Sequence, residues 1–202
     1  MDVFSLKGGN LRDALDNIAK INQLLGGNLL TLRGVEKLIR TISKKEKITI
    51  LDVGCGNGDM LRKLADYGYK KNLNFQLIWI DSNNFTINHS NQLSENYSNI
   101  SFLCLDIFEE AFKELNYDIV LCTLTLHHFK DNQIINLLKI IFSNSKIGIV
   151  INDLHRNAIA YRLFQVICFV FKLNEMSRDD GLISILRGFK KKELVNFSNE
   201  LK

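Results

Sequence analysis

The sequence predicts an α/β protein built on a doubly wound parallel sheet. Two observations carry the prediction. Residues 48–59 run from an apolar strand pattern into three alternating glycines and then open a helix. From residue 48 to about 153, strand-like and helix-like patterns alternate five times, which implies parallel strands with helices on both faces. With 202 residues, 46% hydrophobic and 24% charged, the chain has the composition and length for one sizeable core. One domain is expected over 1–202, divided into an N-terminal helical cap (1–47), an α/β core (48–153) and a C-terminal helical segment (154–202).

The elements follow in order. Leu11, Ala14, Leu15, Ile18 and Ala19 recur at helical spacing, as do Leu32, Val35, Leu38, Ile39 and Ile42 after the Gly26-Gly27-Asn28 break. Two helices therefore precede the first strand. Ile48, Ile50, Leu51 and Val53 read as a buried parallel strand, and Gly54, Gly56 and Gly58 allow a sharp turn that brings backbone close to a ligand. Met60, Leu61, Leu64 and Ala65 continue as a helix. Later strands are expected at Phe75–Asp81, Ile100–Asp106, Tyr117–Thr125 and Lys146–Asp153, with a helix at Gln133–Phe142. Right-handed crossovers place every strand's carboxyl end, and the loop that follows it, on one edge.

The glycine spacing separates two ligand classes. A dinucleotide fingerprint is Gly-x-Gly-x-x-Gly. Here the third glycine comes one residue early, and Asp59 occupies the dinucleotide position, where a carboxylate repels a pyrophosphate at a helix N-terminus. S-adenosylmethionine carries no phosphate. Its methionyl end is cationic, so Asp52, just before the turn, suits it. A nicotinamide (NAD) oxidoreductase remains an alternative reading.

The segment Leu51-Asp-Val-Gly-Cys-Gly-Asn-Gly-Asp59 resembles motif I of the class I S-adenosylmethionine-dependent methyltransferases. The resemblance implies their Rossmann-like fold and a methyltransferase activity. It also implies a cofactor site made of Asp52, Gly54, Cys55, Gly56, Gly58 and Asp59 at the turn, with Asp81 on the ribose and Ser82 after it, Asp106 and Ile107 at the adenine, and Thr123 on the fourth strand. In that family an N-terminal layer often covers the cofactor or acceptor, from which a residue such as Arg33 could reach the methionyl carboxylate, with simple packing on the sheet as the reading for most of these residues. The run Asn152-Asp-Leu-His-Arg156 with Asp180–Phe189 looks, more narrowly, like methyltransferases found beside bacterial polyketide, aryl-polyene or quinone pathways.

After the fourth strand, Leu126-His-His-Phe129 resembles the segment that faces the transferred methyl group. Relatives acting on amino nitrogens carry Asn-Pro-Pro-aromatic there, and this chain has no proline. An oxygen or carbon nucleophile on a small, apolar or aromatic metabolite is favoured. His127, His128 and His155 follow the fourth and fifth strands and are the candidate bases, while His89 is expected on the surface.

The formal charge is +4, with nine Lys/Arg against five Asp/Glu in 1–47 and seventeen of each beyond. No concentrated basic face marks a nucleic-acid reader. Cys55, Cys104, Cys122 and Cys168 lack metal-ligand spacing and read as small buried thiols suited to a reducing cytoplasm. No hydrophobic leader is visible, and no metal site is expected. The Ala158–Leu173 helix, the most apolar in the chain, is too short and interrupted to span a bilayer. It is expected as a core helix, with the wall of a greasy acceptor pocket or a dimer surface as alternatives. The antiparallel strands that usually finish the family's sheet have no counterpart after Asp153. A five-stranded sheet is expected, with room for one short extra strand and an edge left uncovered or paired with a second copy. That shortening leaves a non-catalytic or partner-dependent S-adenosylmethionine-binding subunit as a further alternative.

Overall fold

The computed structural model describes residues 8–54 and 56–201. Helices α1 (Gly9–Leu24) and α2 (Gly27–Leu38) precede strand β1 (Lys47–Val53). The alternation then runs α3 (Asp59–Lys71), β2 (Asn74–Asp81), α4 (Asn84–Leu93), β3 (Ile100–Cys104), α5 (Glu110–Lys113), β4 (Tyr117–Thr123), α6 (Asp131–Asn144) and β5 (Ser145–Asn152). Helices α7 (Ala158–Val170), α8 (Glu175–Arg187) and α9 (Lys191–Asn199) follow.

The five strands pair in the order β3-β2-β1-β4-β5, all parallel. The order reverses direction at β1, where the chain passes from the β1–β3 half to the β4–β5 half; ligands of open α/β sheets bind above such a switch point. Register aligns the carboxyl ends: Val53 stands opposite Ile80, Asp81 opposite Cys104, and Thr123 opposite Asn152. The loops carrying the candidate residues therefore open on one edge.

Alternation along β1 divides the core between the two faces. Ile48 and Ile50 pack with Leu32 and Val35 of α2, and with Met60, Leu61 and Leu64 of α3. Leu51 and Val53 point the other way, into Ile134, Leu137 and Ile141 of α6 and Phe197 of α9. Burying each such side chain contributes about 1.5–3 kcal/mol. At Gly34 an added Cβ would meet Val150 Cγ1 at 2.6 Å, so α2 lies directly on β5.

A single parallel bridge, His155 with Phe189, extends the line of β5 beyond its end. The Phe189 amide donates to the Leu154 carbonyl at 2.8 Å, and the Arg156 amide donates to the Phe189 carbonyl at 3.1 Å. This is the short extra pairing that the sequence left room for.

Three expectations are corrected. Helix α7 is not a core helix: Ile159, Leu163, Val166 and Phe169 are exposed, and of its described residues only Cys168 is buried. The helix lies past the last strand and packs on α8, where a Cβ at Gly181 would meet the Phe164 ring at 2.3 Å. His89 is not a surface residue but is buried in α4 against α1. Cys104 is an exposed thiol, because it ends the edge strand β3, whereas Cys122 and Cys168 are buried as expected. No helix among the described residues is long and apolar enough to cross a membrane.

Candidate active site

Gly54, Gly56 and Gly58 all take left-handed backbone, with φ of 66°, 64° and 79°. At Gly58 space also forbids a side chain, because a Cβ would stand 2.2 Å from the buried Trp79 ring. The turn is tied to its neighbours on both sides. The Gly54 amide donates to the Ile80 carbonyl at 2.9 Å. The Thr125 hydroxyl sits 2.7 Å from the Val53 carbonyl that it can donate to, with the Gly54 carbonyl at 3.1 Å. Cys55 lies outside the described residues.

Asp52 lies under this turn with no solvent exposure, and neither carboxylate oxygen has a well-formed hydrogen bond among the described residues. Burial, followed by the nearby Asp59 charge and opposed by the Val53 amide, pushes its carboxyl up to about 8. A buried carboxyl without a partner is costly, and a cation above the turn would relieve that cost. The site therefore fits the ammonium of a methionyl group.

The N-terminal helices close on the same loop. Asp59 accepts from Gln23 Nε2 of α1 at 3.1 Å and from Asn28 Nδ2 of α2. Asp16 of α1 takes Asn57 Nδ2 at 2.8 Å and contacts His89 Nε2 at 3.0 Å on the same oxygen. The Ser90 hydroxyl donates to the Gly56 carbonyl at 3.2 Å. Arg33 is exposed. Sequence reasoning missed this latch because its members lie 41 and 73 residues apart.

The remaining predicted cofactor residues stand along the sheet edge. Asp81 ends β2; burial raises its carboxyl to about 6, while the Asn83 amide donates to Oδ1 at 2.8 Å and opposes the shift. The other oxygen of Asp81 can accept ribose hydroxyls. Ser82 follows, its carbonyl 3.6 Å from the Cys104 thiol. Asp106 is exposed and caps its own turn through the Phe108 amide at 2.9 Å, beside the buried Ile107. Thr123 is buried, its hydroxyl 3.3 Å from that of Thr31 in α2.

Leu124, between β4 and the histidines, adopts φ 55° and donates its amide to the Asn152 carbonyl at 2.8 Å. Left-handed backbone in a branched residue costs of order 1 kcal/mol, and here it steers the 3-10 turn Leu126–His128 toward β5. The buried Asp153, one residue past β5, receives that turn. Its Oδ2 accepts the Leu126 amide at 2.8 Å, and its Oδ1 lies 2.7 Å from His127 Nδ1. The sequence placed Asp153 at the right edge but did not pair it with His127; the signal was the adjacency of two strand ends that only the β4–β5 pairing reveals.

The His127 and His128 rings meet at a tilt of 41° with centroids 4.1 Å apart. Burial, then the neighbouring His127 and the Arg187 guanidinium, lower His128 to about 4, against an opposing pull from Asp153. Both histidines line a cavity of about 330 Å³ whose walls come from the start of α6, the segment after β5, and helices α8 and α9. Phe129, Phe189 and Phe197 supply its apolar side, and Lys130, Arg156 and Arg187 its cations. His155 is exposed and stands outside this lining. No cluster of residues capable of holding a metal occurs among the described residues.

Comparison with known proteins agrees with this geometry. Residues 44–185 match the family described as a methyltransferase domain. A malonyl-[acyl-carrier protein] O-methyltransferase of Acetivibrio thermocellus is 30% identical over 135 residues, covering 61% of this chain and 41% of the relative. The chain thus spans about two fifths of that protein's length. Among solved structures, the plantazolicin methyltransferase BpumL, crystallised with a triazolic desmethylPZN analogue and S-adenosylhomocysteine (SAH), superposes with a TM-score of 0.67 at 20% identity, covering 91% of this chain and 66% of that one. The CurJ carbon methyltransferase superposes at 0.60 with 14% identity, covering 83% and 44%. On the glycine turn, the five-stranded parallel sheet and the match over 44–185, the chain belongs to the methyltransferase domain family and has the Rossmann-like fold of its class I members.

Proposed function

We propose that the protein transfers a methyl group from S-adenosylmethionine to an oxygen or carbon of a small acceptor with an apolar or aromatic body. One observation carries the cofactor assignment: the fully buried Asp52, with no charged or well-formed hydrogen-bond partner among the described residues, under a turn of three left-handed glycines. A diphosphate there would meet Asp52 and Asp59, whereas an ammonium supplies the missing counter-charge.

Bound at this edge, S-adenosylmethionine supplies an electrophilic methyl group on a sulfonium. Asp52 would hold the methionyl ammonium, Asp81 the ribose hydroxyls, and Ile107 would pack the adenine. The chain's own contribution is chiefly positioning and exclusion of water, worth roughly 7–11 kcal/mol when nucleophile and electrophile are aligned. Helices α1 and α2, bonded to the loop through Asp16, Gln23 and Asn28, cover the turn from above. An acceptor hydroxyl or enol must also lose a proton. His127, with Nδ1 held by Asp153, keeps Nε2 for that proton and lines the cavity. The name of the Acetivibrio relative, an O-methyltransferase, supports oxygen as the acceptor atom.

Calorimetric titration with SAH tests the reading. Saturable binding that weakens about tenfold or more in Asp52→Asn is expected, by loss of one charge-assisted contact. Tight NAD binding with no response to SAH would overturn it.

A further inference from the structure

The cavity beside His127 carries more positive charge than its own carboxylates can neutralise. Arg156 is paired with Glu193. Arg187 has no carboxylate partner among the described residues, nor does Lys130, and Asp131 is the one remaining acid on the wall. Arg187 is exposed at the cavity, and the backbone that carries it is anchored. It ends α8, and two residues later Phe189 is hydrogen-bonded through both its amide and its carbonyl to the strand extension after β5. At Gly188 a Cβ would stand 2.5 Å from the Leu154 carbonyl oxygen, so this crossing is close. The guanidinium's charge acts on His128, and the same cavity is lined by the edge-to-face pair Phe189 and Phe197, with centroids 5.9 Å apart.

A guanidinium is a planar fork suited to a carboxylate or phosphate. We propose that this cavity receives an anionic substituent of the methyl acceptor, a carboxylate or a phosphate monoester, seated on Arg187 with its apolar body against Phe189 and Phe197. The inference rests on the methyltransferase reading for the word acceptor, because His127 opens into the same space. Lys130 strengthens the field at the mouth. Neutral aromatic molecules of equal size gain the phenylalanine wall but not the charge.

The test uses the full chain saturated with SAH and titrated calorimetrically with benzoate, phenyl phosphate and benzamide. The expected result is that at least one anion binds about tenfold tighter than benzamide, the scale of one charge-assisted pair. Arg187→Gln should abolish that preference and leave the affinity for SAH unchanged. The tighter of the two anions identifies the substituent. Equal binding of benzamide and both anions would overturn the proposal, as would an anion preference that survives in Arg187→Gln. If Arg187 serves only the carboxyl end of α8, the variant loses thermal stability and anion preference stays where it was. Repeating the anion titrations without SAH separates the two readings, since a failure of SAH to bind counts against the cofactor assignment while the cavity's preference is still measured.

Discussion

His127 Nδ1 and Asp153 Oδ1 are 2.7 Å apart, and the same carboxylate accepts the backbone amides of Leu126 and Leu154. A carboxylate surrounded by donors accepts only, so Nδ1 carries a proton toward Asp153 and Nε2 is the ring nitrogen left for another partner. The pair joins the ends of β4 and β5, and so couples the proposed base to the sheet itself.

Removing either member should reduce turnover while sparing cofactor binding. His127→Gln and Asp153→Asn are each expected to lower single-turnover methyl transfer by about 10²-fold or more, the scale of general-base catalysis. The affinity for SAH should move less than threefold, about 0.7 kcal/mol. Unchanged turnover in both variants would remove His127 from the chemistry.

Asp52 sets a pH dependence in two measurable quantities. Its carboxyl, raised to about 8, is largely protonated at pH 6, and an ammonium ligand binds the ionised form. Affinity for SAH is therefore expected to fall toward acid by up to about tenfold per pH unit below 8. Asp52→Asn should flatten that slope. In the free protein the sign is opposite: a carboxyl with folded pKa above its unfolded value of about 4 favours the fold at low pH, and that contribution is lost as pH rises from about 4 through about 8. Asp52→Asn should raise the melting temperature more at pH 8 than at pH 5.

Asp81→Ala should weaken SAH by about 10- to 100-fold, as expected for a carboxylate that accepts ribose hydroxyls. Because burial holds Asp81 near 6, its share of that affinity should decline below pH 6. Equal affinity in wild type and variant would end the ribose role.

Two glycines in one turn should fail differently. Gly58→Ala puts a methyl into the Trp79 ring and is expected to cost about 2 kcal/mol or more of stability, read by denaturant unfolding. Gly56→Ala meets only Leu15 Cδ2 at 3.9 Å, so its cost is the backbone strain of about 1 kcal/mol. Its larger effect should be on cofactor binding.

The features legible in the sequence were those written locally. The five strands, the glycine turn and helices α2, α3 and α6 each follow from a short run of residues with its own period. What escaped was made by distant partners. His89 carries no local mark of burial, yet Asp16 from another helix accepts it. The apolar run of α7 predicted a core position, but no strand lies beyond β5 among the described residues to cover its outer face. The cavity draws residues from four separate segments, so no single window of sequence contains it.

The likeness to the methyltransferase family begins at residue 44, downstream of α1 and α2. The side chains that grip the glycine turn nevertheless come from residues 16, 23 and 28. A fragment cut to the matched residues 44–185 would keep the whole glycine turn and still relinquish the fasteners that hold Asn57 and Asp59 in place. In this protein the family hallmark is held jointly by the glycine turn and the two helices ahead of it, and trimming to the recognisable part would trim away those fastenings.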